Sequence, residues 1–258
     1  MMMATNNSVS MTGLLIGWFG AGVVGAALTF GAPVTVQAAE PAATEKPASK
    51  EVGPDDPRIQ LLTAILKDDG PTVHELLEKG VDPNIREMDR GPAIVMAVRE
   101  KSTQSLRELL ASPKLKVDAL NDRGETALMM ASMIGNAETV SLLIEKGAEV
   151  DRDGWSPLHY AASNGRNDIV KVLIAAGADI DARSPNGSTP LMMAARRGNL
   201  TPYQTLLLAG ADPRPANDSK LTAADYLERI GENRRAALLR SYSQNFDPTL
   251  KLKNKATQ

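Results

Sequence analysis

The chain has 258 residues, with 29 Lys and Arg against 31 Asp and Glu, 43% hydrophobic and only 3% aromatic content. A core of some size is possible, built of Leu, Ile, Val, Ala and Met, and a formal charge of -2 provides no global field toward nucleic acid or an anionic membrane. Cysteine is absent, which excludes disulfides, thiolate nucleophiles and Cys-based zinc sites.

The first 39 residues carry no Lys, Arg, Asp or Glu, and residues 13–30 are almost wholly apolar. Residues 1–38 therefore read as an export signal, with Val36-Gln37-Ala38 placing small residues where a signal peptidase reads and cleavage falling before Ala39. The alternative is an inner-membrane anchor facing the periplasm, because 18 apolar residues are marginally long enough for a bilayer of ~30 Å. Residues 39–57, rich in Ala, Pro, Glu, Lys and Ser, are expected to form a flexible linker.

From residue 58 to 240 the chain divides into six units. In the first, Leu61, Leu62, Ala64 and Ile65 form one helical face, Val73, Leu76 and Leu77 the next, and Gly80-Val81-Asp82 closes it. The second replaces the usual start with GPAIVMAV and the usual close with KLKVD. The third starts at Gly124, the fourth at Gly154, the fifth at Gly187 and the last near Asn217. Residues 241–258, with Lys251, Lys253 and Lys255, are expected to be a basic, disordered tail.

The turn glycines Gly91, Gly124, Gly154 and Gly187 are separated by 33, 30 and 33 residues, and Gly147, Gly177 and Gly210 by 30 and 33. Each full unit has a turn Gly, a hydroxyl residue (Thr126, Ser156, Thr189) able to cap a helix, and an Ala-rich inner helix. A Gly break (Gly135, Gly165, Gly198) and an outer helix with an apolar stripe follow, as in Ile169, Val170, Leu173 and Ile174. Three residues are missing before Gly154, which predicts a shortened finger between the third and fourth units.

This pattern, clearest in GWSPLHYAASNGRNDIVKVLIAAGADIDAR from Gly154, resembles the ankyrin repeat. The resemblance implies an all-α ankyrin-repeat solenoid of about six stacked helix-turn-helix units with short β-hairpin-like fingers. It also implies that His159 bridges the hydroxyl of its own start motif, Ser156, and a neighbouring turn. Met96, Met129 and Met192 occupy the same slot in other units and read as core filler. The wider set, with Met88, Met130, Met133 and Met193, could instead form an adaptable, oxidation-sensitive surface.

No residue set reads as catalytic. Ser156 lacks the strand-to-helix elbow of a nucleophile, His74 has no second ligand at metal spacing, and Asp55-Asp56 and Asp68-Asp69 suit spacer and turn positions. No cofactor and no metal is expected. The resemblance implies protein binding, by a monomer, through finger tips and exposed inner-helix positions on the concave face. Carried over unit by unit, the candidates are Arg90, Asp122, Arg123, Arg152, Asp153 and Asn186 at the tips. Glu125, Trp155 and Ser188 lie before the start motifs, and Met133, Ile134, Ser163, Asn164, Arg196 and Arg197 at the inner-helix ends. Trp155, brought near Met133 and Ile134 by the short finger, reads as an apolar anchor unless it packs on the shortened finger. Arg90, Arg123 and Arg152 suit carboxylate recognition unless their adjacent aspartates hold them.

The expected role is a non-enzymatic binding module in the bacterial cell envelope, periplasmic or secreted, similar to small exported ankyrin proteins of bacteria, some of which support stress-defence enzymes. The alternative is a secreted effector or inhibitor that binds a foreign host protein. No contact with nucleic acid is expected, and membrane contact only through an uncleaved N-terminus.

Overall fold

The computed structural model describes residue 53 and residues 55–247. The expected signal or anchor, most of the linker and the lysines of the tail lie outside the described residues. Within them, twelve helices form six consecutive pairs. The inner helices are α1 (Pro57–Leu66), α3 (Ala93–Arg99), α5 (Ala127–Ile134), α7 (Pro157–Ser163), α9 (Pro190–Arg197) and α11 (Ala223–Arg229). The outer ones are α2 (Gly70–Glu78), α4 (Thr103–Ala111), α6 (Ala137–Glu145), α8 (Asn167–Ala175), α10 (Leu200–Leu208) and α12 (Asn233–Gln244). Each inner helix packs on the next, and α2 on α4, α6 on α8 and α8 on α10. This is the all-α solenoid that the repeat implies.

The close stacking follows from small residues. Ala97, Ala131, Ala161, Ala162, Ala194, Ala195, Ala223 and Ala224 are all buried on inner helices, so neighbouring backbones approach closely. Their continuous core includes Leu61, Ile94, Leu128, Leu158 and Leu191, with Val73, Leu109, Leu143, Leu173 and Leu206 from the outer row. Each unit covers its apolar face only against its neighbours, so stability is distributed along the stack.

Local signals set the helix boundaries. Thr126 Oγ1 accepts the Met129 amide at 3.2 Å, and Thr189 Oγ1 the Met192 amide at 3.3 Å, satisfying donors that a helix start leaves open. Gly135 and Gly198 stop α5 and α9 with φ of +98° and +72°, a region that a Cβ disfavours. A side chain at Gly135 would also collide with the Arg166 guanidinium, 2.7 Å from the position of an added Cβ.

The fingers are short, and one expected boundary is corrected. Only the first finger is a true hairpin among the described residues, with β1 (Arg86–Glu87) antiparallel to β2 (Gly91–Pro92). Other fingers are turns, closed by a backbone hydrogen bond such as Asn121 N–H to the Glu125 carbonyl at 2.9 Å or Ser184 N–H to the Ser188 carbonyl at 3.0 Å. At the far end α12 continues past Arg240 to Gln244, and Phe246 lies edge-on to Tyr242 and beneath Arg214. The beginning of the expected tail therefore belongs to the last unit.

Candidate protein-binding face

A ladder of side-chain to backbone hydrogen bonds positions the fingers. Asn84 Oδ1 accepts the Lys116 amide at 2.7 Å and Asp118 the Glu149 amide at 3.1 Å. Asp151 accepts the Asp179 amide at 2.8 Å and Asp181 the Asp212 amide at 2.8 Å. The step from Asp151 spans 28 residues where the neighbouring steps span 31, so the ladder absorbs the three-residue deletion without breaking register. Burial raises the Asp118 carboxyl above the ordinary range, more than the Glu149 amide lowers it.

The fourth unit is tied to the fifth through His159, which is fully buried. The Ser156 amide and Oγ lie 3.2 and 2.9 Å from Nδ1, and Nε2 lies 3.0 Å from the Ser188 carbonyl. With two donors at Nδ1, the proton sits on Nε2 and is donated to Ser188; the ring is neutral. Burial holds its pKa below the usual 6.5, against the opposing effect of the Ser188 carbonyl. Both nitrogens are committed and out of reach of a substrate, so Ser156 and His159 serve as a structural bridge rather than a nucleophile and base.

That bridge corrects part of the expected binding set. Ser188 is buried within a network where Asn217 Nδ2 donates to its Oγ at 3.2 Å, and it presents nothing outward. Glu125 is buried too, accepting from Asn121 Nδ2 at 2.8 Å and from the Tyr160 hydroxyl at 3.0 Å. Burial, reinforced by Glu125, pushes the Tyr160 phenol up to about 12. Trp155 is half-buried and turns onto its own helix: its ring centroid lies 5.5 Å from that of His159 and 6.3 Å from that of Tyr160. Sequence position alone does not distinguish this from an outward anchor, because the indole can rotate either onto its own helix or away from it.

A cleft of about 400 Å³ instead opens between the second and third units. Its apolar lining is Met130, Met133 and Ile134, and its polar lining includes Asp89, Arg90, Arg99, Lys101, Asn121, Asp122, Arg123 and, though largely buried, the predicted Glu125. Met133 and Ile134 are half-buried against the core. Trp155 does not line this cleft. The signal that could have placed the cleft is the second unit's degenerate start, where Arg99 and Lys101 end an inner helix.

The arginines pair differently from expectation. Arg90 faces Glu87 at 3.8 Å rather than Asp89, and Asp122 is taken by Arg86 at 2.6 Å rather than by Arg123. Lys101 and Arg123 are exposed and have no carboxylate within 4.0 Å among the described residues. Lys101 also adopts φ of +61°, an uncommon conformation for a residue with a Cβ. Arg152 is half-exposed, whereas Asp153, Asn164 and Asn186 are exposed; Ser163 is half-buried. Arg196 and Arg197 are exposed at the end of α9.

The methionines divide only in part as the slot argument expects. Met129 and Met192 are buried in the position that His159 holds, the third residue of the inner helix, whereas Val95 takes that position in α3 and Met96 is buried one residue further on; Met130 and Met193 are buried as well. Met88, by contrast, is 91% exposed at the first finger. His74 Nδ1 lies 3.0 Å from Glu108 Oε2 across the first two outer helices, an exposed polar pair.

A family model for ankyrin repeats matches residues 61–153, 94–184 and 152–217, more than half the chain. The chain belongs to the ankyrin repeat family. Among curated relatives, Protein glp-1 of Caenorhabditis elegans is 33% identical over 181 residues, 64% of this chain and 14% of that protein. Protein phosphatase 1 regulatory subunit 27 of Mus musculus is 36% identical over 96 residues, 36% of this chain and 62% of that one. The B-cell lymphoma 3 protein homolog of Mus musculus is 34% identical over 147 residues, 54% of this chain and 33% of that one. The chain thus spans less than two thirds of each of these relatives. The family and these relatives support an array that is a protein-protein interaction module, with no enzymatic function indicated.

Proposed function

We propose that the chain binds a protein partner through the face formed by its fingers and inner helices, with the cleft between the second and third units as a principal contact. The observation that carries this is the composition of the cleft. Half-buried Met133 and Ile134 lie beside Lys101 and Arg123, cations with no carboxylate within 4.0 Å among the described residues. Apolar floor with a polar rim is the anatomy of a recognition site. Similarity to a phosphatase regulatory subunit supports a role as the non-catalytic companion of an enzyme.

We further propose that this module works in the cell envelope. Its support is sequence: 39 residues without an ionisable Lys, Arg, Asp or Glu, an apolar stretch, and small residues at 36 and 38. N-terminal sequencing of the protein from fractionated cells checks this, with a mature terminus at Ala39 expected. An intact Met1 in the cytosolic fraction would discard the location and leave the binding face untouched.

For the cleft, the expected outcome is that Arg123→Glu with Met133→Ser abolishes recovery of the partner after crosslinking in the native cell, while the thermal midpoint barely moves. Undiminished recovery would remove the cleft from the interface.

A further inference from the structure

The end of the array opposite the finger tips, where inner helices turn into outer ones, is strongly basic from the fourth unit to the sixth. Arg166, Arg196, Arg197, Arg229 and Arg234 are all exposed there. Arg196, Arg197, Arg229 and Arg234 have no carboxylate within 4.0 Å among the described residues. The acids nearby are mostly taken: Glu228 by Arg240 at 2.6 Å and Glu232 by Arg235, leaving Asp168 in the first turn of α8. The overall charge of -2 conceals this imbalance.

Helix electrostatics explain only part of it. Arg196, Arg197 and Arg229 occupy the last turns of α9 and α11, where exposed carbonyls favour a cation. Arg234 is in the first turn of α12, where the dipole disfavours one, and unlike Arg235 it has no acid to offset it. An apolar spot lies among them: Ile230 is 42% exposed, and its Cδ1 lies 3.5 Å from where a Cβ on Gly198 would stand. The corners of the fifth and sixth units are therefore adjacent, with an aliphatic patch between arginines.

We infer that this edge receives an acidic segment of the partner, an extended peptide in which carboxylates flank an aliphatic residue. The aliphatic group rests on Ile230, and the carboxylates meet Arg196, Arg197 and Arg234 in the planar, bidentate geometry that guanidinium groups favour. One step between stacked helices, about 8–10 Å, separates the corners of the fifth and sixth units, the length of about three extended residues. Stacked bases would need aromatic platforms, and the exposed side chains of this edge include none. The inference rests on the reading of the array as a protein-binding module.

The test uses the full chain and two measurements. In the first, fluorescein-labelled ten-residue peptides of alternating Glu and Leu, Gln and Leu, or Lys and Leu are titrated by anisotropy. The Glu peptide is expected to bind at least tenfold tighter than the Gln peptide, to weaken with added salt, and to lose that advantage in an Arg196→Gln, Arg197→Gln, Arg234→Gln variant of unchanged circular dichroism. Equal affinity for Glu and Gln peptides, or an unaffected variant, overturns the inference. In the second, a photocrosslinker replaces Arg197 in one protein and Arg123 in another, in the native cell. Capture of an acidic segment at 197 supports it. Partner capture at 123 with none at 197, or with a segment lacking acids at 197, defeats this inference while the proposed function stands. Capture at neither position defeats both.

Discussion

The third and fifth units place a methionine where the fourth places a histidine, and the two solutions hold their neighbours by different physics. Met129 and Met192 are buried apolar plugs whose contribution is contact area and absence of voids. His159 fills the same volume but spends both ring nitrogens on directional bonds, one within its unit to Ser156 and one across the boundary to Ser188. One backbone pattern thus accepts a non-directional or a directional link. Only the latter ties stability to protonation.

That comparison is sharpest where the plug is removed. Met192→Ala should leave a cavity in the packed interior and cost about 2–5 kcal/mol, read from urea unfolding of the full chain. His159→Met, which keeps the volume but strips Ser156 of its acceptor, should cost less, about 1–3 kcal/mol. A larger loss for His159→Met than for Met192→Ala would mean that the directional link, rather than filled volume, dominates the stack.

A smaller effect separates the two in pH. Burial lowers the folded-state pKa of His159 below its ordinary 6.5, so the unfolded chain binds the proton more readily. Its stabilisation is complete above 6.5 and is lost as pH falls from 6.5 toward the lower folded value. Melting curves from about pH 8 to about pH 5 should show wild type losing ground to His159→Met only at the acid end. Parallel profiles would show that the imidazole does not titrate with unfolding. The carboxylates held low by hydrogen bonds, such as Asp69 and Asp225, act only nearer pH 3.8 and below and leave this window clear.

Much of the architecture is legible residue by residue. Gly91, Gly124, Gly154 and Gly187 were placed by spacing alone, and all four have positive φ, between +71° and +87°. The helices around Thr126 and Thr189 start where a capping hydroxyl predicts. The candidate site was less legible. Glu125 and Ser188 occupy positions one residue after turn glycines, yet each is enclosed by a side chain from the following unit, Tyr160 and Asn217 respectively. No local pattern contains that information.

From sequence alone come the number of units, the place of each turn and the small inner helices, because those follow from backbone sterics, capping and helical periodicity within some thirty residues. Only the tertiary structure decided which polar residues are inward struts, that a cleft opens over Met133 and Ile134, and that arginines from three units share one edge. Those outcomes depend on what the adjacent unit presents across the stack, and residues about thirty positions apart meet only once the units have packed.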